Sequence, residues 1–195
     1  MKQKIKRAAA WFGDSSGNVK LSMVIMGAGQ FRYGAKGKGV CFFLAEVLMI
    51  CYMAMRGCRD LAGFFTLGTT RGDAWLGVEG DNSVVMLLMG IFAWIVLAAF
   101  VCIYCGNVRD ACRMQKRIEQ GRSVLSFREE AAQLLDKKFY VTVLALPVIG
   151  VFIFQILPVL FMVLIAFTNY GGDIVPPELV DWVGLANFKK LLTLT

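Results

Sequence analysis

Ser83–Tyr104 reads SVVMLLMGIFAWIVLAAFVCIY, 22 consecutive positions without a charged side chain. At a rise of about 1.5 Å per residue, a helix of this length covers a hydrocarbon core of about 30 Å. In lipid a helix is one of the two structures that satisfy every backbone N–H and C=O internally. The stretch therefore reads as a membrane-spanning helix, and lipid becomes the solvent against which the rest of the chain is judged.

Two further runs fit that solvent. Gly39–Met55 (GVCFFLAEVLMICYMAM) is a first span at the short end of the required length, with Glu46 near its middle. Tyr140–Phe167 is a third, interrupted only by Thr142, Gln155, Pro147 and Pro158. It exceeds the bilayer thickness, so it must tilt, kink or protrude, and the two prolines are the expected kink points. The chain is thus expected to be all-α, a helical integral membrane protein with three transmembrane helices and short interfacial or amphipathic helices.

The charges set an orientation. Residues 1–38 form a basic segment with eight Lys and Arg against the single acid Asp14. Residues 39–105 hold the first two spans and a loop, 56–82, with three. Residues 106–139 are a linker with eight, 140–167 are the third span, and the tail 168–195 has two. High, low, high, low is the alternation that the positive-inside rule demands of three spans. The N-terminus and linker are expected in the cytoplasm, and the loop and tail outside. Leu21–Ala28 (LSMVIMGA) is too short to span and reads as an interfacial or packed helix ending near Gly27 or Gly29. Leu61–Leu67 reads as a stretch lying along the interface. Ser126-Phe-Arg-Glu129 is a capping-box pattern opening a linker helix to about Lys137. The basic start passes too soon into polar residues to resemble a secretory signal.

Composition narrows the function classes. Hydrophobic residues make up 57% of the chain and charged ones 18%, and the net charge of +7 sits in blocks beside apolar runs. That pattern reads as topology, with no nucleic acid as partner. Histidine is absent, which removes the commonest general base and neutral metal ligand. No metal and no cofactor is expected. Cys102 and Cys105 have redox-motif spacing but stand within an apolar run, where cysteine acts as a small hydrophobe. The glycines from Gly29 to Gly39 lack the lysine placement of a phosphate loop and read as chain breakers before the first span. Glu46 is the one ionisable residue within a span and so an intramembrane charge candidate; it is expected to face the bundle and pair there, or to stay protonated.

The most specific stretch is the third span's exit. Leu157-Pro158 precedes Ala166-Phe167-Thr168-Asn169-Tyr170, and Trp182-Val183-Gly184-Leu185-Ala186-Asn187-Phe188-Lys189 follows. Tyr170 and Trp182 suit the headgroup layer, and Asn187 suits the cap of a short helix beginning Phe188-Lys189-Lys190-Leu191-Leu192. Taken by themselves, these residues describe any helix exit.

Together they resemble permease subunits of binding-protein-dependent sugar ABC importers, in which a Phe-Thr-Asn-Tyr helix end precedes a Val-Gly-Leu-x-Asn-Phe segment. The start, Leu21–Gln30 with Lys38-Gly39, and the linker end Leu134–Phe139 are similar to the larger maltodextrin-type permeases. The resemblance covers nearly the whole chain. Its signature residues are Pro158, Phe167, Thr168, Asn169, Tyr170, Val183, Gly184, Leu185, Asn187 and Phe188.

The resemblance implies an N-terminal portion only, with the sugar-binding core expected beyond residue 195. It also implies a second permease subunit, a cytoplasmic ABC ATPase that binds ATP, and an extracellular or periplasmic sugar-binding protein as partners, in the cell membrane. The substrate-binding residues are left unknown, since the resemblance places the sugar site in that core, and the chain itself is not expected to be an enzyme. Glu130-Ala131-Ala132 invites comparison with the family's ATPase-docking motif, but Lys137 follows Asp136 where that motif has glycine; the segment reads as an ordinary linker helix. A freestanding small multi-pass protein acting as an assembly or regulatory factor is the alternative.

Overall fold

The computed structural model describes residues 16–72, 75–124, 129, 132, 139–171, 174 and 178–193. These form helices α1 (Gly17–Val24), α2 (Ala28–Arg32), α3 (Lys36–Thr66), α4 (Ser83–Glu119), α5 (Phe139–Val151, then Phe152–Ile156 and Leu157–Ile165) and α6 (Ala186–Thr193). No strand occurs among the described residues; two isolated bridges do, Thr168 with Trp182 and Gly171 with Ile174. Three helices are long and apolar enough to cross a membrane: Lys36–Thr66, Ser83–Glu119 and Val143–Ile165. The chain is a multi-pass membrane protein.

Two of the spans outrun their expected ends. The first continues past Met55 through a π-helical turn, Met53–Gly57, into Cys58–Thr66. Arg56, Arg59 and Asp60 made that stretch read as a loop. The extra residue per turn lets the helix proceed while redirecting its faces. Gly63 thereby meets Met86: a Cβ on Gly63 would lie 2.8 Å from that side chain. Gly90 similarly receives Phe64, whose Cβ would be 2.5 Å from a Cβ at position 90. Small residues here let two helix backbones approach closely, as lipid-embedded helices require. The second span continues as helix to Glu119, well beyond Tyr104.

In the third span, Phe152–Ile156 is also a π-helical turn, immediately before Pro158. Proline has no N–H to give the carbonyl four residues back, and a wider turn is one way to relieve the clash. Pro147 stands inside an α-helical stretch. The linker capping box, Glu130-Ala131-Ala132 and the Leu134–Phe139 approach lie wholly or largely outside the described residues.

The described residues divide into two compact units, one drawn from 1–52 and 98–142 and the other from 53–97 and 143–195. In the first, α1 and α2 are separated by a break at Ile25–Gly27, slightly earlier than the glycines predict. Gly27 adopts φ +83°, and a Cβ there would stand 2.1 Å from the Gly39 carbonyl oxygen. The break frees two backbone donors. The Met26 N–H goes to Glu46 Oε2 at 2.9 Å, and the Gly27 N–H to Asn107 Oδ1 at 3.1 Å. Glu46 thus accepts from the broken segment's backbone rather than from a neighbouring span.

Asn107 is the hub of this unit. Its Nδ2 donates to the Ser22 carbonyl at 2.8 Å, while Gln30 Nε2 donates to its Oδ1 and its carbonyl, each at 3.0 Å. The Ser22 hydroxyl donates to Gln30 Oε1 at 2.8 Å. Ser22, Gln30 and Asn107 are all fully buried. Around them the Tyr104 hydroxyl donates to the Met23 carbonyl at 2.8 Å, and Lys38 Nζ lies 3.2 Å from Asp110 Oδ1.

Replacing Asn107 with leucine leaves the Gly27 N–H and the Ser22 carbonyl unpaired inside protein, while Gln30 keeps only its bonds to the residue-107 backbone carbonyl and the Ser22 hydroxyl. Each such group costs about 1–3 kcal/mol. Asn107→Leu is expected to release α1 and α2, seen as faster proteolysis of residues 16–35 in detergent while the spans stay resistant. Unchanged cleavage would refute the hub role.

Candidate functional site

The signature residues of the third span's exit assemble into one joint. A helix leaves its last four carbonyls without helical partners. Here the four carbonyls from Ile165 to Thr168 all find partners. The Ile165 carbonyl accepts from the Thr168 N–H (2.9 Å) and the Thr168 hydroxyl (2.8 Å). The Phe167 carbonyl accepts from the Val183 and Gly184 N–H groups at 2.9 and 3.0 Å. Asn187 Nδ2 donates to the carbonyls of Ala166 (3.0 Å) and Thr168 (2.7 Å).

The tail is therefore folded back onto the helix end. Asn169 exchanges two bonds with Asp181: its N–H donates to the Asp181 carbonyl at 3.0 Å, and its Oδ1 accepts the Asp181 N–H at 2.7 Å. The Tyr170 N–H donates to the Thr168 hydroxyl at 3.2 Å. Gly184 turns the chain at φ +57°, in the left-handed region that favours glycine, and Phe188 packs on Phe167 with ring centroids 5.2 Å apart. Asn187 was expected to cap the helix that follows; its amide instead serves the helix that came before.

Beneath the joint lies an apolar core of Leu67, Leu87, Ile91 and Val180, with Phe64, Ile165 and Trp182 packed against it. Trp182 Nε1 donates to the Phe64 carbonyl at 3.3 Å, and the Val180 N–H donates to the Ser83 hydroxyl at 3.0 Å. Leu67 is held at φ +52°, a conformation leucine adopts only where packing over-determines it. The cavity among Leu67, Ser83, Thr168 and Val180 measures about 10 Å³, at the lower limit for a single water. This joint is filled by its own side chains and cannot hold a sugar.

Two signature residues stand apart. Pro158 is exposed on α5, two turns before the joint, and Leu185 is 60% exposed and lends only its carbonyl, to the Lys189 N–H at 3.0 Å. Cys102 and Cys105 are both exposed on α4, as are Cys41 and Cys51 on α3, so these cysteines face outward rather than into a core. Sequence reading missed Asn107, Gln30 and Ser22, because each is a polar residue in a segment already polar or weakly apolar. It also missed Asp81, whose Oδ2 accepts the Thr69 and Thr70 N–H groups at 2.9 and 3.0 Å and so closes the turn before α4.

With this geometry in view, the relatives are informative. The chain is 32% identical over 177 residues to the maltodextrin transport system permease protein MalC of Streptococcus pneumoniae, covering 90% of this chain and 39% of that protein. It is 32% identical over 175 residues to the galactooligosaccharides transport system permease protein GanP of Bacillus subtilis, covering 89% and 40%. Over nine tenths of its length the chain is thus similar to sugar transport permeases. A third such permease relative, the maltodextrin transport system permease protein MdxF of Bacillus subtilis, is 29% identical over 176 residues. The chain spans about two fifths of the length of these curated permeases. No protein-family model and no solved structure matches it.

Two measurements test the joint. Asn187→Ala removes both donations and is expected to cost about 1 kcal/mol in thermal unfolding in detergent; an unshifted midpoint would deny the amide its part. The two backbone donors hold the Asp81 carboxyl below its ordinary value of about 3.9. Asp81 thus stabilises the folded chain fully above that value, and the contribution is lost as pH falls through its lower folded value. Asp81→Asn should flatten the loss of stability on acidification below about pH 4, and an unchanged acid limb counts against the clamp.

Proposed function

We propose that the chain is the N-terminal part of the membrane-spanning permease subunit of an ABC importer for maltodextrin or a related oligosaccharide. The single observation that carries this is the 32% identity to MalC across 90% of the chain. It is supported by the Phe-Thr-Asn-Tyr and Val-Gly-Leu-x-Asn-Phe segments folding into one joint rather than lying apart. In this reading the chain's helices brace and orient the permease, and the sugar path belongs to a core beyond them. A second permease subunit, a separate cytoplasmic ATPase and an external sugar-binding protein complete the transporter. The N-terminus and the 106–139 linker face the cytoplasm, where Lys and Arg are retained. The loop between α3 and α4 and the joint at the end of α5 face outward.

Alternating access in such an assembly needs a rigid frame beside the moving core. The lattice of donated carbonyls at the α5 exit and the Asn107 hub are the two devices in this chain suited to that rigidity. Neither is built to bind sugar.

A chimaera tests the reading. The aligned part of pneumococcal MalC is replaced by this chain in cells lacking MalC, and maltodextrin uptake is measured. Uptake is expected from the chimaera and none from the chain expressed alone. A chimaera that inserts in the membrane at normal level but does not transport would overturn the proposal. So would uptake by the chain as sole permease.

A further inference from the structure

A cleft of about 240 Å³ opens between the far end of α3 and the start of α4. Its walls include Arg56, Arg59 and Asp60 from the π-turn and the helix after it, and its floor is Val85, Met86 and Met89 from α4. Arg56 and Arg59 are exposed, lie one turn apart, and make no hydrogen bond or ion pair with any described residue. Two unpaired guanidiniums beside an apolar floor form an unusual surface for a helix in a membrane.

Their depth gives the surface meaning. Lys36 opens α3, and Arg56 follows twenty residues later, about 30 Å along a straight helix. That is the thickness of the hydrocarbon core. Arg56 and Arg59 close the apolar run Gly39–Met55, so they stand where that span reaches its headgroup layer. At the same level Asp81 precedes Ser83, the first residue of α4. The methionines and the valine lie deeper along α4, where acyl chains begin.

We propose that this cleft binds a phospholipid whose headgroup carries hydrogen-bond donors, its phosphate held by Arg56 and Arg59. Guanidinium forks match phosphate oxygens in geometry as well as charge. The flexible Met86 and Met89 side chains supply an adaptable apolar bed for the first methylenes, which a free anion would not use. Asp60 and Asp81 face the same space. They disfavour a bare anion but accept from the ammonium of phosphatidylethanolamine or the hydroxyls of phosphatidylglycerol. Phosphatidylcholine offers no such donor.

The test is native mass spectrometry of the full chain from nanodiscs containing equal amounts of phosphatidylglycerol, phosphatidylethanolamine, phosphatidylcholine and diacylglycerol. Wild type is expected to retain the first two over the last two. Arg56→Gln with Arg59→Gln should cut that retention by about tenfold, or about 1.4 kcal/mol; the matched charge loss Lys189→Gln with Lys190→Gln should not. Asp60→Asn leaves the arginines and Asp81 in place and should weaken only the preference over phosphatidylcholine, which guards against misfolding of the double variant. Equal retention by the arginine variant, no preference over phosphatidylcholine, or an unaltered preference in Asp60→Asn overturns the proposal. Displacement of bound lipid by millimolar inorganic phosphate would show a free-anion site instead and overturn it as well.

Discussion

The structure depends on one constraint: away from water, every backbone donor and acceptor must find a partner within the protein. The spans obey it through their own helical bonds. The chain departs from regular helix at Ile25–Gly27 and after Ile165, and side-chain amides repair both places. Asn107 accepts from the Gly27 N–H, and Asn187 donates to the Ala166 and Thr168 carbonyls. An amide suits these places because it carries both donors and acceptors and no charge to desolvate. Glu46 meets the same need at Met26. A carboxylate inside a span is often read as part of an ion path; here its geometry is that of a backbone cap.

The same accounting explains why the α5 exit carries so recognisable a sequence. Thr168, Asn169, Gly184 and Asn187 each complete a bond or a turn of the joint through their own side-chain or backbone chemistry. The signature describes a fastening between a helix end and the tail returning across it. Among the described residues its cavity measures only about 10 Å³ and no charged side chain lines it. If the chain serves a sugar importer, as proposed, its contribution is mechanical, and chemistry with the sugar lies in other parts of the transporter.

The sequence made the second and third spans plain, because twenty or so apolar residues without charge have few other solutions, and the first legible despite Glu46. It misjudged where they end. Arg56, Arg59 and Asp60 marked the close of the first span, yet a π-turn carried the helix to Thr66, since helix can continue freely in the headgroup layer. Arg109 to Glu119 looked like linker for the same reason. The signature pointed to the correct joint, but bond by bond its workings were hidden. A capping role for Asn187 is visible in sequence, whereas the helix it serves depends on how the tail folds back. Asn107 left no periodic or compositional trace at all. A buried polar hub is defined by what surrounds it, and those neighbours come from residues some eighty positions away.

The central claim is that three helices cross a bilayer with the basic segments held on the cytoplasmic side. Two native thiols report on it directly: Cys58, exposed beyond the π-turn of α3, and Cys112, on the far half of α4. Single-cysteine versions in intact cells are treated with a membrane-impermeant maleimide before and after permeabilisation. Cys58 is predicted to label in intact cells and Cys112 only once the membrane is opened. Labelling of Cys112 from outside, with Cys58 protected until permeabilisation, would contradict the account.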